Sequence, residues 1–409
     1  MNNLTAWVFR LTLTIAAVVL LPLSKVAVAS DALPIRHVFL VILENESADA
    51  TFDKNSPAPY LSRELVRRGA FLSQYFGIGH YSLDNYIAMI SGQGPNYATQ
   101  NDCQTYMDFR ARSIDSDGQA IGSGCVYPDN IKTLADQLHN AGFTWKSYAE
   151  DMGNDPARES ITCGHPTLND PDITQKAEPA QKGHPADQYA TRHNPFMYFH
   201  SIIDSPDCAA NVVNFSPLRK DLQSTSTTPN FVFIVPNLCH DGHDGDGTGK
   251  KPCVDGEPGS LKSSDKFLRG LVPLILSSPA YKQDGLLIIT FDEADIDVWY
   301  DPTSKTYREK TGDASACCGE IPGPNINSTQ TVFDAPDEGP GIIGPGGGRI
   351  GAVMLSPSIK AGTKSSTPYN HFALLRTIED IFGLSHLGYA GAKNLHSIGS
   401  DVFNAGETH

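Results

Sequence analysis

Basic residues are in short supply. The 31 Lys+Arg face 46 Asp+Glu, a formal net charge of −15. That deficit argues against a protein that grips a nucleic-acid backbone. None of the eight cysteines stands in C-x-x-C spacing, which excludes a zinc ribbon or a dithiol redox motif. Internal repeats and low-complexity tracts are absent. At 40% hydrophobic residues the chain is neither a disordered acidic tail nor a multi-span membrane protein. What is plentiful is glycine and proline, 36 and 28 residues, which predicts many loops around a compact scaffold. A chain of 409 residues is long enough to bury a substantial core without staples.

The first 29 residues read as a secretory signal peptide. Arg10 closes a short n-region, an apolar run follows from Leu11 to Leu23, and Ala27-Val28-Ala29 offers small residues for cleavage before Ser30. The run is short for a membrane span. No Arg-Arg pair precedes it, so the general secretory route is expected, ending in the periplasm or outside the cell. Export places the even set of cysteines in an oxidising compartment, where disulfides form. Cys103–Cys125 and Cys239–Cys253 are natural local brackets, and the adjacent Cys317 and Cys318 are expected to bond elsewhere rather than to each other.

The remainder, 30–409, reads as one domain in which strands alternate with helices. Strands are expected at Ile35–Leu43, Ala70–Tyr75, Phe143–Ala149, Asn230–Val235, Gly285–Phe291 and Arg349–Leu355. Helices are expected at Tyr60–Gly69, Leu83–Ser91, Ile131–Asn140, Leu261–Leu276 and Tyr369–Phe382. Residues 150–210 form an inserted loop or lid region, and 300–348 a second irregular stretch. The fold class is α/β, with a mainly parallel sheet sandwiched by helices.

In open α/β sheets ligands sit beyond the C-terminal ends of the strands. Polar residues collect at those positions. Glu44-Asn45 follows the first strand, His80-Tyr81-Ser82 follows the second past Gly77 and Gly79, and Asn237, His240, Asp241 and His243 follow Asn230–Val235. Asp292-Glu293 follows Gly285–Phe291, and His371 opens the last helix. Each cluster has a simpler explanation by itself: Ser82 as a helix N-cap, Asp292-Glu293 as a solvated turn, His371 as a satisfied helix histidine. Together they ask for a hydrolytic metal centre. Carboxylates, an amide and a serine oxygen suit a hard divalent cation, and histidines shift the balance toward zinc, iron or manganese. A metal on Ser82 Oγ would make an alkoxide nucleophile, with phosphate received at the helix N-terminus. A rival motif, Asp244-x-Asp246-x-Thr248-Gly249 with Asp255 at the twelfth position, imitates a calcium loop, although Pro252 and Cys253 interrupt it.

The ordered set resembles the phosphoesterase family of secreted acid phosphatases and bacterial phospholipases C, which has an alkaline-phosphatase-like fold. The resemblance is carried by His37-Val38-Phe39 through Glu44-Asn45-Glu46-Ser47, then His80-Tyr81-Ser82-Leu83-Asp84-Asn85-Tyr86 with Ser91-Gly92. It continues through Pro236-Asn237-Leu238, Asp241-Gly242-His243-Asp244 and Thr290-Phe291-Asp292-Glu293, and closes on Tyr369-Asn370-His371 and Phe382-Gly383-Leu384. It implies a divalent metal (magnesium, manganese, calcium, zinc or iron) on Glu44, Asn45, Ser82, Asp292 and Glu293. Ser82 would be the nucleophile and pass through a phosphoseryl intermediate. His80, Asn85, Asp241, His243 and His371 would serve phosphate or the metal's surroundings.

The chain ends soon after its last helix, without the extension usual in the phospholipase C branch, and this favours phosphomonoester hydrolysis. The resemblance further implies, by analogy, a phosphoinositide headgroup such as phosphatidylinositol 3-phosphate as a substrate. The alternatives are a phospholipase C that cleaves a phosphodiester and a non-catalytic secreted protein that binds calcium or a partner. Ser82-Leu83-Asp84 lacks the C/S-x-P-x-R context a sulfatase needs.

Overall fold

Seven consecutive buried residues, His37–Leu43, form strand β1. A strand with no exposed face belongs in the middle of a parallel sheet covered on both sides. The computed structural model describes residues 33–301, 306–326 and 346–404. The expected signal peptide lies outside them. Among them, no helix is long and apolar enough to cross a membrane.

The sheet comprises β1, β2 (Ala70–Leu72), β3 (Trp145–Ala149), β4 (Val212–Asn214), β5 (Phe231–Val235), β6 (Gly285–Phe291), β7 (Ala352–Leu355) and β8 (Thr363–Ser365), in the order β8-β2-β7-β6-β1-β5-β3-β4. β1 pairs in parallel with β5 on one side and β6 on the other. Only β7 runs antiparallel to its neighbours. The α/β, mainly parallel architecture is thus the expected one. Because β1, β5 and β6 are adjacent and parallel, the residues that follow them emerge at one edge.

Four helices matter to that edge: α1 (Ser82–Ser91), α2 (Leu134–Asn140), α3 (Ser260–Ser277) and α4 (His371–Phe382). Every residue of α1 is buried, its four polar residues included, and it ends at Gly92 in the left-handed conformation with φ 66°. α4 begins at Asn370, whose side chain accepts the Ala373 amide at 3.0 Å, and stops at Gly383 with φ 69°.

Several expectations shift. The strand expected over Ala70–Tyr75 breaks after Leu72, and Tyr75–Phe76 pairs instead with Tyr369–Asn370. The helix expected from Ile131 starts at Leu134, because Thr133 and Asp136 close a capping box there. The stretch from 300 contains half of a hairpin, Ile296–Asp301 paired with Thr306–Gly312. Cys317 and Cys318 bond to each other, contrary to expectation. The other six cysteines are consumed by Cys103–Cys125, Cys163–Cys208 and Cys239–Cys253, which leaves the adjacent pair only itself.

Candidate active site

Glu44, Asn45, Asp241 and Asp292 come together because the ends of β1, β5 and β6 do. The main chain fixes this: the Glu44 amide donates to the Asp241 carbonyl at 2.8 Å, and the Asp292 amide donates to the Leu43 carbonyl at 2.9 Å. Asn45 takes the left-handed conformation (φ 55°), which asparagine tolerates better than most residues. Its amide then reaches Asp292 Oδ1 at 3.0 Å.

Ser82 enters from α1. The turn before it needs glycine, since a Cβ on Gly79 would stand 2.4 Å from Asp84 Oδ2. Tyr81 is held at φ 76°, a strained value for a bulky residue. Glu293 stabilises that turn by accepting the Tyr81 amide at 3.1 Å. Ser82 is only 2% exposed, and its Oγ donates to Glu44 Oε2 at 2.7 Å. It is therefore the first residue inside the helix and not its side-chain cap. The other Glu44 oxygen accepts from the Tyr86 hydroxyl at 2.6 Å.

The sequence reading missed His193. It lies in the stretch 150–210, whose segment Tyr189–Phe199 is buried throughout. Its ring stacks on Tyr86 with centroids 5.3 Å apart. Nε2 approaches Glu44 Oε1 at 3.4 Å, and Nδ1 approaches Asp241 Oδ2 at 3.1 Å. Potential ligand atoms of Glu44, His193 and Asp241 all lie within 4.8 Å of one another. The available signal was the apolar run Pro195–Phe199 directly after it, which marks burial in an otherwise polar stretch.

The electrostatics of this group call for a cation. Burial raises the Glu44 and Asp241 carboxyls well above the usual range, and neighbouring carboxylates, Asp292 among them, push them further. Burial lifts Asp292 to about 6. The His193 imidazole is driven the other way by burial and by the nearby Arg192, so it stays neutral. Asp292 Oδ2, Asp241 Oδ2 and His193 Nε2 are buried and make no hydrogen bond among the described residues. Orphaned acceptors on mutually repelling carboxylates, beside a neutral imidazole, fit a divalent cation.

The other expected residues fall into two groups. His243 stands at the exposed rim, where its Nδ1 accepts from Asn45 Nδ2 at 2.9 Å. Asp241, expected at phosphate, turns its carboxylate to His193. The polar atoms of the remaining three expected residues are engaged by the protein itself. Asn85 donates to the Gly79 and Tyr81 carbonyls (3.0 and 3.2 Å) and accepts the Ile78 and Gly79 amides (2.8 and 3.3 Å). His371 donates from Nε2 to the Asp292 carbonyl at 2.6 Å and takes the Tyr75 hydroxyl on Nδ1 at 3.1 Å. His80 pairs with Glu293 through Nδ1 and with the Asp313 carbonyl through Nε2. Glu293 therefore faces the turn before Ser82.

The calcium-loop imitation also gives way. Asp246 accepts the Thr248, Gly249 and Lys251 amides of its own loop, and Asp255 accepts from Gln188. Cys239 and Cys253, which stand with Asp255, are joined in a disulfide.

The chain is also similar to known proteins. A model described as the Phosphoesterase family matches residues 54–385. A probable acid phosphatase of Kluyveromyces lactis is 23% identical over 370 residues, 90% of this chain and 63% of that protein. A phosphate-repressible acid phosphatase of Penicillium chrysogenum is 28% identical over 275 residues, 67% and 52% of the respective chains. A phosphatidylinositol-3-phosphatase of Mycobacterium tuberculosis is 25% identical over 367 residues, 90% of this chain and 83% of that one. The chain thus spans a half to two thirds of the two fungal relatives. Among solved structures, a protein in the alkaline phosphatase superfamily from Vibrio parahaemolyticus aligns with a TM-score of 0.46 at 12% identity, over 90% of this chain and 72% of that one.

Proposed function

This chain belongs to the phosphoesterase family, and from that premise we propose that it is a secreted, metal-dependent phosphomonoesterase with Ser82 as its nucleophile. The observation that carries the reading is the buried Ser82 Oγ at the start of α1, bonded at 2.7 Å to a carboxylate ringed by unpartnered acceptors. Glu44, Asn45, Ser82, Asp241, Asp292 and His193 would hold the divalent cation. Such an ion, when bound, supplies Lewis-acid charge that lowers the serine pKa and offsets charge on the phosphoryl oxygens.

The rest falls to the chain's own side chains. Ser82 Oγ gives its proton toward Glu44 Oε2, the atom it already addresses, and forms a bond to phosphorus. The phosphorus–alkoxy bond breaks, and the alcohol leaves with a proton drawn from water. Water then cleaves the phosphoserine, which returns Ser82 and inorganic phosphate. Phosphate oxygens are received by His243 at the rim, beside Asn45. His371 and His80 keep Asp292 and Glu293 in place. Export through the leader fits the four disulfides.

The test is a product assay on the purified protein. A simple phosphomonoester, phosphatidylinositol 3-phosphate and phosphatidylcholine are offered in parallel, with and without chelator. Release of inorganic phosphate that chelator abolishes is expected. Formation of phosphocholine and diacylglycerol instead would assign a phospholipase C. No hydrolysis of any of the three after metal loading would overturn the reading.

A further inference from the structure

The helix that carries Ser82 lacks a cap of its own. Tyr81 precedes it and supplies no side-chain hydrogen bond to the first turn. An uncapped start leaves orphan amides at the point where the nucleophile must be held. The missing acceptor comes from Asp102, 19 residues away, whose Oδ1 accepts the Leu83 amide at 3.0 Å.

Asp102 is itself locked. It takes the left-handed conformation at φ 49°, and the next residue is tied by the Cys103–Cys125 disulfide. Its second oxygen, Oδ2, faces Arg192 Nε at 3.6 Å, and the Arg192 side chain is 3% exposed. Arg192 donates from Nη1 to the Gln175 carbonyl at 3.1 Å. Gln175 closes the ring, donating from Nε2 to the Asp102 carbonyl and to Asp172 Oδ2, both at 2.8 Å. Arg192 precedes His193 in the chain. One short segment therefore sends a guanidinium behind the nucleophile helix and an imidazole into the ligand group.

We propose that Asp102 and Arg192 are positioning residues for the Ser82 nucleophile: Asp102 caps α1 from outside, and Arg192 holds that carboxylate in place. The inference rests on the reading of Ser82 as nucleophile. A carboxylate at a helix N-terminus is favourable, but a buried one needs a cationic partner, and Arg192 is that partner. The arrangement fixes the first turn of α1 so that Ser82 Oγ points at Glu44. Neither residue touches the reacting atoms, so the effect of losing either belongs in kcat.

The test compares steady-state kinetics on a chromogenic phosphomonoester, with bound metal measured in every variant. Asp102→Ala should lower kcat by about 10²-fold, with KM changed by less than about threefold and metal content as in the parent. Asp102→Asn keeps an oxygen for the Leu83 amide and should recover kcat to within about tenfold of the parent. Arg192→Met should lower kcat at constant KM, and Arg192→Lys should restore part of it. A folded Asp102→Ala with parental kcat overturns the proposal. So does an Asp102→Asn no better than Ala, or a loss that tracks missing metal. If Asp102→Ala does not fold, the Arg192 pair decides, and equal kcat in its Met and Lys variants overturns the proposal. Ser82→Ala runs alongside: if it stays active the nucleophile reading itself falls, whereas if it is dead while Asp102→Ala is unaffected only the positioning role falls.

Discussion

Asp292 Oδ2 and His193 Nε2 are buried atoms with no hydrogen bond among the described residues, and their value lies in what they can bind. Replacing Asp292 by Asn removes the charge and keeps the shape. Replacing His193 by Ala removes the only imidazole in the Glu44–His193–Asp241 group. Each substitution should lower the divalent metal retained after gel filtration, measured by elemental mass spectrometry, and phosphatase activity should fall with it. Stoichiometric metal in both variants would remove these residues from the ligand set. Glu44, Asn45, Ser82 and Asp292 were legible in the sequence because each follows a strand or a glycine turn. His193 and Arg192 were not, because no periodicity places a long irregular stretch against a sheet edge. The hydrogen bonds that Asn85, His80 and His371 make were not legible for another reason: residue type and position do not reveal which lone pairs and protons the protein has already used.

At the scale of the element, α4 carries a device that the sequence pattern concealed. Glu379 sits on its buried face, accepts the Leu387 amide on Oε1 at 2.8 Å, and leaves Oε2 without a partner. Burial lifts this carboxyl from near 4.5 to about 8. The folded protein therefore keeps a proton that the unfolded chain releases above about pH 4.5. Stability from this group is full below the unfolded value and is lost as pH rises toward the folded one. Glu379→Gln preserves the acceptor without the charge. It should raise the melting temperature at pH 8, on the order of 1–3 kcal/mol in stability, and change little at pH 5. An equal shift at both pH values would refute the assignment. The bounds of α4 were close to legible, since Gly383 announces its end. Strand β2 was overextended because apolar residues stand on both sides of the break at Ser73-Gln74.

Across the whole molecule, the candidate site is assembled by one topological fact: β1 lies between β5 and β6 with all three parallel. That order is not readable from any single segment. The collection of polar residues after strands nevertheless pointed to it, since turn residues chosen independently would not all carry metal and phosphate chemistry. Long connections then complete what the sheet begins, with 150–210 supplying His193 and Arg192. The disulfides brace such connections, and Cys163–Cys208 sits in that same region. Sequence spacing anticipated the local brackets and misjudged Cys317–Cys318, because pairing is settled by which cysteines the fold leaves over.

The central claim is that Ser82 carries the phosphoryl group during turnover. The most direct measurement is acid quenching of the protein during reaction with a phosphomonoester, followed by peptide mass spectrometry. Phosphate is expected on the peptide that contains Ser82 and is expected to disappear with chelator, and a Ser82→Ala variant should neither become phosphorylated nor turn over. Phosphate trapped on another residue, or parental turnover by Ser82→Ala, would contradict it.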